Sequence, residues 1–142
     1  MTAEQVFSVC NLVAMGGWIL LVAFPRKRWS NIVAGRVVPL LLAAVYLFLF
    51  AAHWGETEGG FGSLRGVAAL FANPWLLLAG WIHYLAFDLF VGAWEVRDAG
   101  QSAVPHGLVI PCLALTFLFG PVGLLTYYGA RAAVSKLGVR KH

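Results

Sequence analysis

Charge is what this 142-residue sequence has least of: ten Lys or Arg and six Asp or Glu make up 11% of it, against 61% hydrophobic residues. A soluble domain of this length cannot be covered with so little charge, so lipid must be the solvent for most of its surface. Histidine is also scarce, at four residues, and no His-x-x-His or His-x-x-x-His pair occurs. That excludes the many-histidine di-iron site of membrane desaturases and hydroxylases. A single metal held by His83, Asp88 and His106 has acceptable ligand types, but no spacing supports it, and no metal or other cofactor is assigned. There is no Cys-x-x-Cys pair, no phosphate-cradling glycine loop and no Ser–His or Cys–His arrangement suited to nucleophilic catalysis. The two cysteines, Cys10 and Cys112, fall at depths differing by roughly 12 Å, too far apart for a disulfide, and read as small packing residues. The net charge of +4 needs no nucleic acid, because Lys and Arg at membrane-facing ends account for it.

What remains is a set of apolar runs separated by short charged stretches. Each run is continuously apolar and lacks the period-two alternation of barrel strands, so the expected fold is all-α. The expected architecture is an integral membrane four-helix bundle forming a single domain over residues 1–142. Its helices are placed at about 5–24, 37–54, 74–96 and 107–129, lengths near those needed to cross a bilayer. Pro39 falls in the first turn of the second helix, and Asn73-Pro74 opens the third, where proline costs least. Pro111 and Gly120-Pro121 predict a bend halfway along the fourth. The segment 61–73 is too short to span and reads as a short interfacial helix, and 131–142 as a basic tail. Trp29, Trp54, Trp75, Trp94, Tyr127 and Tyr128 fall near helix ends, as interfacial aromatics do. No Lys or Arg precedes the first run, so it lacks a signal peptide's positive start and is expected to stay in the mature protein.

Four spans give a tie of five positive residues on each side of the membrane. The flanks of the first helix favour an outside N-terminus, which would put the C-terminus outside as well.

Ionisable groups inside spans are costly and mark sites. His83 and Asp88 lie near the middle of the third helix, about 7.5 Å apart along the axis and rotated by roughly 140°, so they do not form a direct pair. Glu95 lies two turns beyond Asp88, within roughly 20° of the same face, and Asp98 follows, making an acidic stripe. Arg36 and His106 open neighbouring helices on the same side, so Asp88, Glu95, Asp98, His106 and Arg36 are expected to converge on one polar pocket. For Glu95 and Arg97 a solvated helix end is the simpler explanation. His53, beside Trp54, reads as an interfacial residue, while Asn11, Tyr46 and Thr116 read as packing or interhelical hydrogen-bonding residues.

The order Trp81-Ile82-His83, Asp88-Leu89-Phe90, Asp98, Pro105-His106, Pro111-Cys112 and Phe119-Gly120-Pro121-Val122-Gly123-Leu124 resembles the abscisic-acid-deficient-4-like family, whose plant members are plastid membrane proteins associated with neoxanthin synthesis. The likeness covers the last half of the chain. It departs at Ala93, where plant members carry an arginine that this chain supplies at Arg97, and at Asp98-Ala99-Gly100, where they have Asp-Gly. With no transit-like leader, the resemblance implies a bacterial member in the inner membrane.

The resemblance further implies a membrane protein that handles a carotenoid or related isoprenoid without a redox cofactor, as a neoxanthin synthase-like isomerase. Opening an epoxide to an allenic alcohol needs an acid at oxygen and a base at the adjoining polyene carbon. His83, Asp88 and His106 are the candidates, because a low-dielectric setting disfavours the charged form of either residue type. Trp81, Tyr84, Phe87, Phe90, Glu95, Asp98 and Arg36 are the residues expected to contact the substrate. The competing expectation is a non-catalytic pigment- or lipid-binding subunit of a larger membrane complex or homo-oligomer, with His83 and Asp88 as interhelical fasteners. A transporter is disfavoured because the chain shows no repeated half.

Overall fold

The computed structural model describes residues 1–139. Those residues are all-helical, in the order α1 (Ala3–Ala23), α2 (Arg28–Ile32), a π-helical turn (Val33–Val37), α3 (Val38–His53), a 3-10 turn (Trp54–Glu56), α4 (Leu64–Phe71), α5 (Pro74–Gln101), α6 (His106–Phe119) and α7 (Pro121–Val139). Three segments are long and apolar enough to cross a membrane: Ala3–Ala23, Arg28–Glu56 and Pro74–Gln101. The chain therefore has the makings of a membrane protein, but the fourth expected span is not one helix.

Each boundary has a local cause. Thr2 starts α1 with a capping box: its hydroxyl accepts from the Gln5 amide, and the Gln5 side chain accepts from the Thr2 amide. Asn73 caps α5 by accepting from the Trp75 amide, with Pro74 at the first helical position. The second span begins at Arg28 rather than at the expected 37, since α2, the π turn and α3 run on without interruption. Pro39 offers a reason for the π turn, because its ring crowds the carbonyl of Gly35 and it has no N–H to donate there. The Val38 amide instead reaches back five residues to the Val33 carbonyl. A short helix, α4, does occupy the segment between the second and third spans, capped by the Ser63 hydroxyl on the Gly66 amide.

α5 is the hub. Half of its most apolar stretch is buried, against 28% for α1 and 33% for the second span. Its core residues include Ala79, Ile82, Leu89 and Ala93, all fully buried. α1 packs on it through Cys10, Ala14, Gly17, Trp18 and Leu21, a stripe at helical spacing. Cys10 and Cys112 are both free and buried.

The single fourth helix expected over 107–129 is instead two helices folded back on each other at Gly120-Pro121. Gly120 has φ +41°, a conformation that favours glycine, and Pro121 cannot donate to the preceding turn. The expected bend is thus a reversal: a Cβ on Gly123 would run into the Thr116 amide nitrogen, which a helix continuing straight would leave about 10 Å away. α7 accordingly returns to the end of the bundle where α6 began, with Tyr127 and Arg131 reaching Asp98 near the end of α5. The stretch expected to be a basic tail is helical through Val139, and its last part, 140–142, lies outside the described residues.

Candidate functional site

The hairpin of α6 and α7 closes over one face of α5, and that face carries the three carboxylates of the acidic stripe. Each meets a different part of the hairpin. Asp88, at the midpoint of α5, stands against the tip: its Oδ1 would lie 2.8 Å from a Cβ on Gly120. Glu95 lies beneath α6, fully buried, with Oε1 accepting from the Thr116 hydroxyl at 2.9 Å. Asp98 lies against α7, where its Oδ2 accepts from the Tyr127 hydroxyl at 2.6 Å and pairs with Arg131 Nε at 2.7 Å. The Ser102 hydroxyl adds a longer contact to the same oxygen at 3.4 Å.

The three carboxylates differ in how fully they are matched. Asp98 has partners. Glu95 Oε2 and Asp88 Oδ2 are buried and have none among the described residues. Tyr84 lies one turn before Asp88 on this face, but its one hydroxyl proton goes to the Phe117 carbonyl at 2.9 Å, near the end of α6. An unpaired carboxyl oxygen in apolar surroundings costs about 1–3 kcal/mol or more. Two of them on one face are the chemical signature of this site.

The other expected members of the pocket stand elsewhere. His83 is exposed on the opposite side of α5, its ring edge-on to Tyr46 at 5.7 Å and 4.8 Å from that of Phe87. This agrees with the rotation that separates it from Asp88. His106 Nε2 is 3.1 Å from the Val22 carbonyl, joining the base of the hairpin to the end of α1. Arg36 sits in the π turn on the α3 side of α5. The five-group convergence is therefore corrected to a three-carboxylate face, because the hairpin and α3 pack on different sides of α5. Glu95 is likewise not a solvated helix end, since α6 covers it. Arg97 is half-buried over Gly35.

The aromatic residues expected to contact substrate also divide. Trp81 faces α1, donating to the Asn11 side chain at 3.2 Å, and Tyr84 faces the hairpin. Phe87 and Phe90 line an apolar groove of about 340 Å³ between α3 and α5. His53 is a fastener: its Nδ1 is 2.7 Å from Glu56 Oε2, which also accepts from Asn73 at 3.3 Å, and its ring stacks on Trp75. Among the described residues, no three His, Cys, Asp or Glu side chains gather closely enough to hold a metal ion.

Tyr127 and Arg131 are the residues that sequence reasoning missed. Their spacing of four puts them on one helical face, a signal that becomes readable only if the chain reverses at Gly120. Tyr127 is fully buried although its sequence position suggested an interfacial aromatic. Tyr127→Phe is expected to lower stability by about 1–2 kcal/mol, because it removes a short hydrogen bond to a charged group. Thermal unfolding in detergent measures it; an unchanged midpoint would mean that Arg131 alone holds Asp98.

No curated protein and no solved structure matches the chain. The family described as ABA DEFICIENT 4-like matches residues 5–127, an extent that runs from the first turn of α1 to the Tyr127 contact of the hairpin, and the chain accordingly belongs to that family.

Proposed function

We propose that this chain binds a carotenoid or related isoprenoid, with the oxygenated end of the molecule against Asp88 at the hairpin tip, and that Asp88 exchanges a proton with it in an acid/base isomerisation. The observation that carries this reading is the buried Asp88 Oδ2, which has no partner among the described residues. A mostly apolar ligand with one hydroxyl or epoxide group would satisfy that oxygen and leave the rest of itself to apolar helix surfaces. Glu95 Oε2, on the same face, is a second acceptor for a polar end. Family membership favours this ligand class, through the resemblance to neoxanthin-associated plant members.

In the isomerisation, the epoxide C–O bond opens, its oxygen gains a proton, and the adjoining polyene carbon loses one. The atoms balance without a redox partner. The proton-transfer role falls to Asp88, since His83 and His106 lie on other faces of the bundle. Asp88→Asn is expected to lower conversion of an epoxy-carotenoid by about a hundredfold, with the protein still folded and still carrying pigment. Incubation of purified protein with the epoxide, followed by mass and chromatographic analysis of the product, reads this directly. Undiminished conversion by the Asn variant removes Asp88 from the reaction.

One observation favours a second reading, a pigment- or lipid-binding subunit without turnover. The histidines expected to serve as proton partners are both remote from Asp88. Pigment that co-purifies in fixed ratio and emerges unchanged after incubation would establish that reading instead.

A further inference from the structure

Opposite the carboxylate face, Arg36 and Arg97 flank Gly35, and neither is paired with an acid among the described residues. Arg97 lies over the π turn, its Nη1 2.7 Å from where a Cβ on Gly35 would be. Gly35 adjoins Arg36 in the π turn, so the two arginines flank the same residue. The nearest acid in sequence, Asp98, is already paired with Arg131. Neither Arg36 nor Arg97 has a salt bridge or a side-chain hydrogen bond among the described residues. Two like charges flanking one residue at the edge of an apolar bundle favour an anion between them.

Arg36, and the Gly35 that Arg97 covers, also line a groove. Arg36 is one wall of the 340 Å³ cleft between α3 and α5, whose other walls include Gly35, Pro39, Leu40, Ala43, Phe87 and Phe90. The surface of the cleft is entirely apolar, Arg36 lending it only its aliphatic stem. Phe87 is 61% exposed, so the groove opens sideways from the bundle. Arg36 and Arg97 lie roughly 12 Å and 6 Å inside their ends of the helical segments, a depth suited to the headgroup boundary.

We infer that the Arg36–Arg97 pair and this groove form a binding site for an anionic phospholipid, the phosphate bridging the two guanidinium groups and one acyl chain lying along Leu40, Ala43 and Phe87. Charge complementarity selects the headgroup: two forked cations match phosphate oxygens, and a zwitterionic lipid brings its own cation to the same place. The apolar groove selects an amphiphile over a free ion. The site lies on a different side of α5 from Asp88, so it can be tested without reference to the proposed ligand there.

The experiment is native mass spectrometry of the purified protein released from nanodiscs containing equal phosphatidylglycerol and phosphatidylcholine, with retained lipid quantified. Wild type is expected to retain phosphatidylglycerol about thirtyfold over phosphatidylcholine, and Arg36→Gln or Arg97→Gln to cut that preference about fivefold each. Leu40→Trp, which fills the groove and leaves both charges, is expected to lower total retention. Circular dichroism of each variant establishes that it is folded. Equal retention of the two lipids by wild type, or a preference untouched in both arginine variants, overturns the inference. So does displacement of the lipid by millimolar inorganic phosphate alone, or by farnesyl diphosphate at concentrations below that of the lipid.

Discussion

Gly123→Ala is expected to lower stability by about 3 kcal/mol or more, because the new methyl group has nowhere to go. Its Cβ would collide with both the hydroxyl and the amide nitrogen of Thr116. The hydroxyl could rotate away, but the backbone could not, so α7 must move off α6. Overpacking of this kind ordinarily costs about 1–3 kcal/mol; here the movement also threatens the hydrogen bond from Thr116 to Glu95. Losing that donor would leave the fully buried Glu95 carboxyl with neither oxygen matched. The measurement is the unfolding midpoint in a denaturing detergent titration, with Gly129→Ala as the control. A Cβ at Gly129 meets nothing within 4 Å, and alanine is the better helix former by about 1 kcal/mol, so the control should be neutral or slightly stabilising. Equal behaviour of the two variants would mean that α7 does not pack on α6 through Gly123.

That prediction rests on the part of the fold that was hardest to read in the sequence. The apolar runs of α1 and α5 were legible because length and composition alone decide whether a helix can span. Asn73-Pro74 fixed the start of α5 to the residue. Counted as charges, Arg26, Lys27, Arg28 and Arg36 look like a loop, which puts the expected start of the second span too late. In the fold Arg28 begins a helix, and Arg36 remains in helical register within the π turn. Gly120-Pro121 was visible as a break, but a bend and a reversal leave the same trace in composition. Only the contacts of Gly123, Tyr127 and Arg131 separate them.

The candidate site divides along the same line. Asp88, Glu95 and Asp98 were placed on one face by helical geometry, because all three belong to one uninterrupted helix. Arg36 and His106 share only an end of the bundle with them, and groups at one end need not share a side. Thr116 was read as an interhelical hydrogen-bonding residue, and it donates to Glu95. Burial of Glu95 could not be read from its distance to the helix end, since burial there depends on how closely α6 covers the last turns of α5.

The hairpin also changes where the C-terminus should lie, and the expected effect is complete rather than graded. Four full spans would return the chain to the side of its N-terminus, with five positive residues on each side. With α6 and α7 reversing at Gly120, Arg131 and Lys136 join Arg26, Lys27, Arg28, Arg36 and Arg97 at one end, and among the described residues Arg65 is left at the other. By the bias of Lys and Arg toward the cytoplasmic side, that end is expected in the cytoplasm and the N-terminus outside. Ser135→Cys, introduced into α7, should therefore resist a membrane-impermeant maleimide in intact cells and react fully once the membrane is opened. Ser63→Cys, in the loop before α4, should react in both. Cys10 and Cys112 are only 5% and 1% exposed, so the native thiols contribute little background. Labelling at position 135 in intact cells, with position 63 also labelled there, would place both on one side of the membrane. α6 and α7 would then have to act as one crossing, and the carboxylate face of α5 would lose the hairpin that covers it.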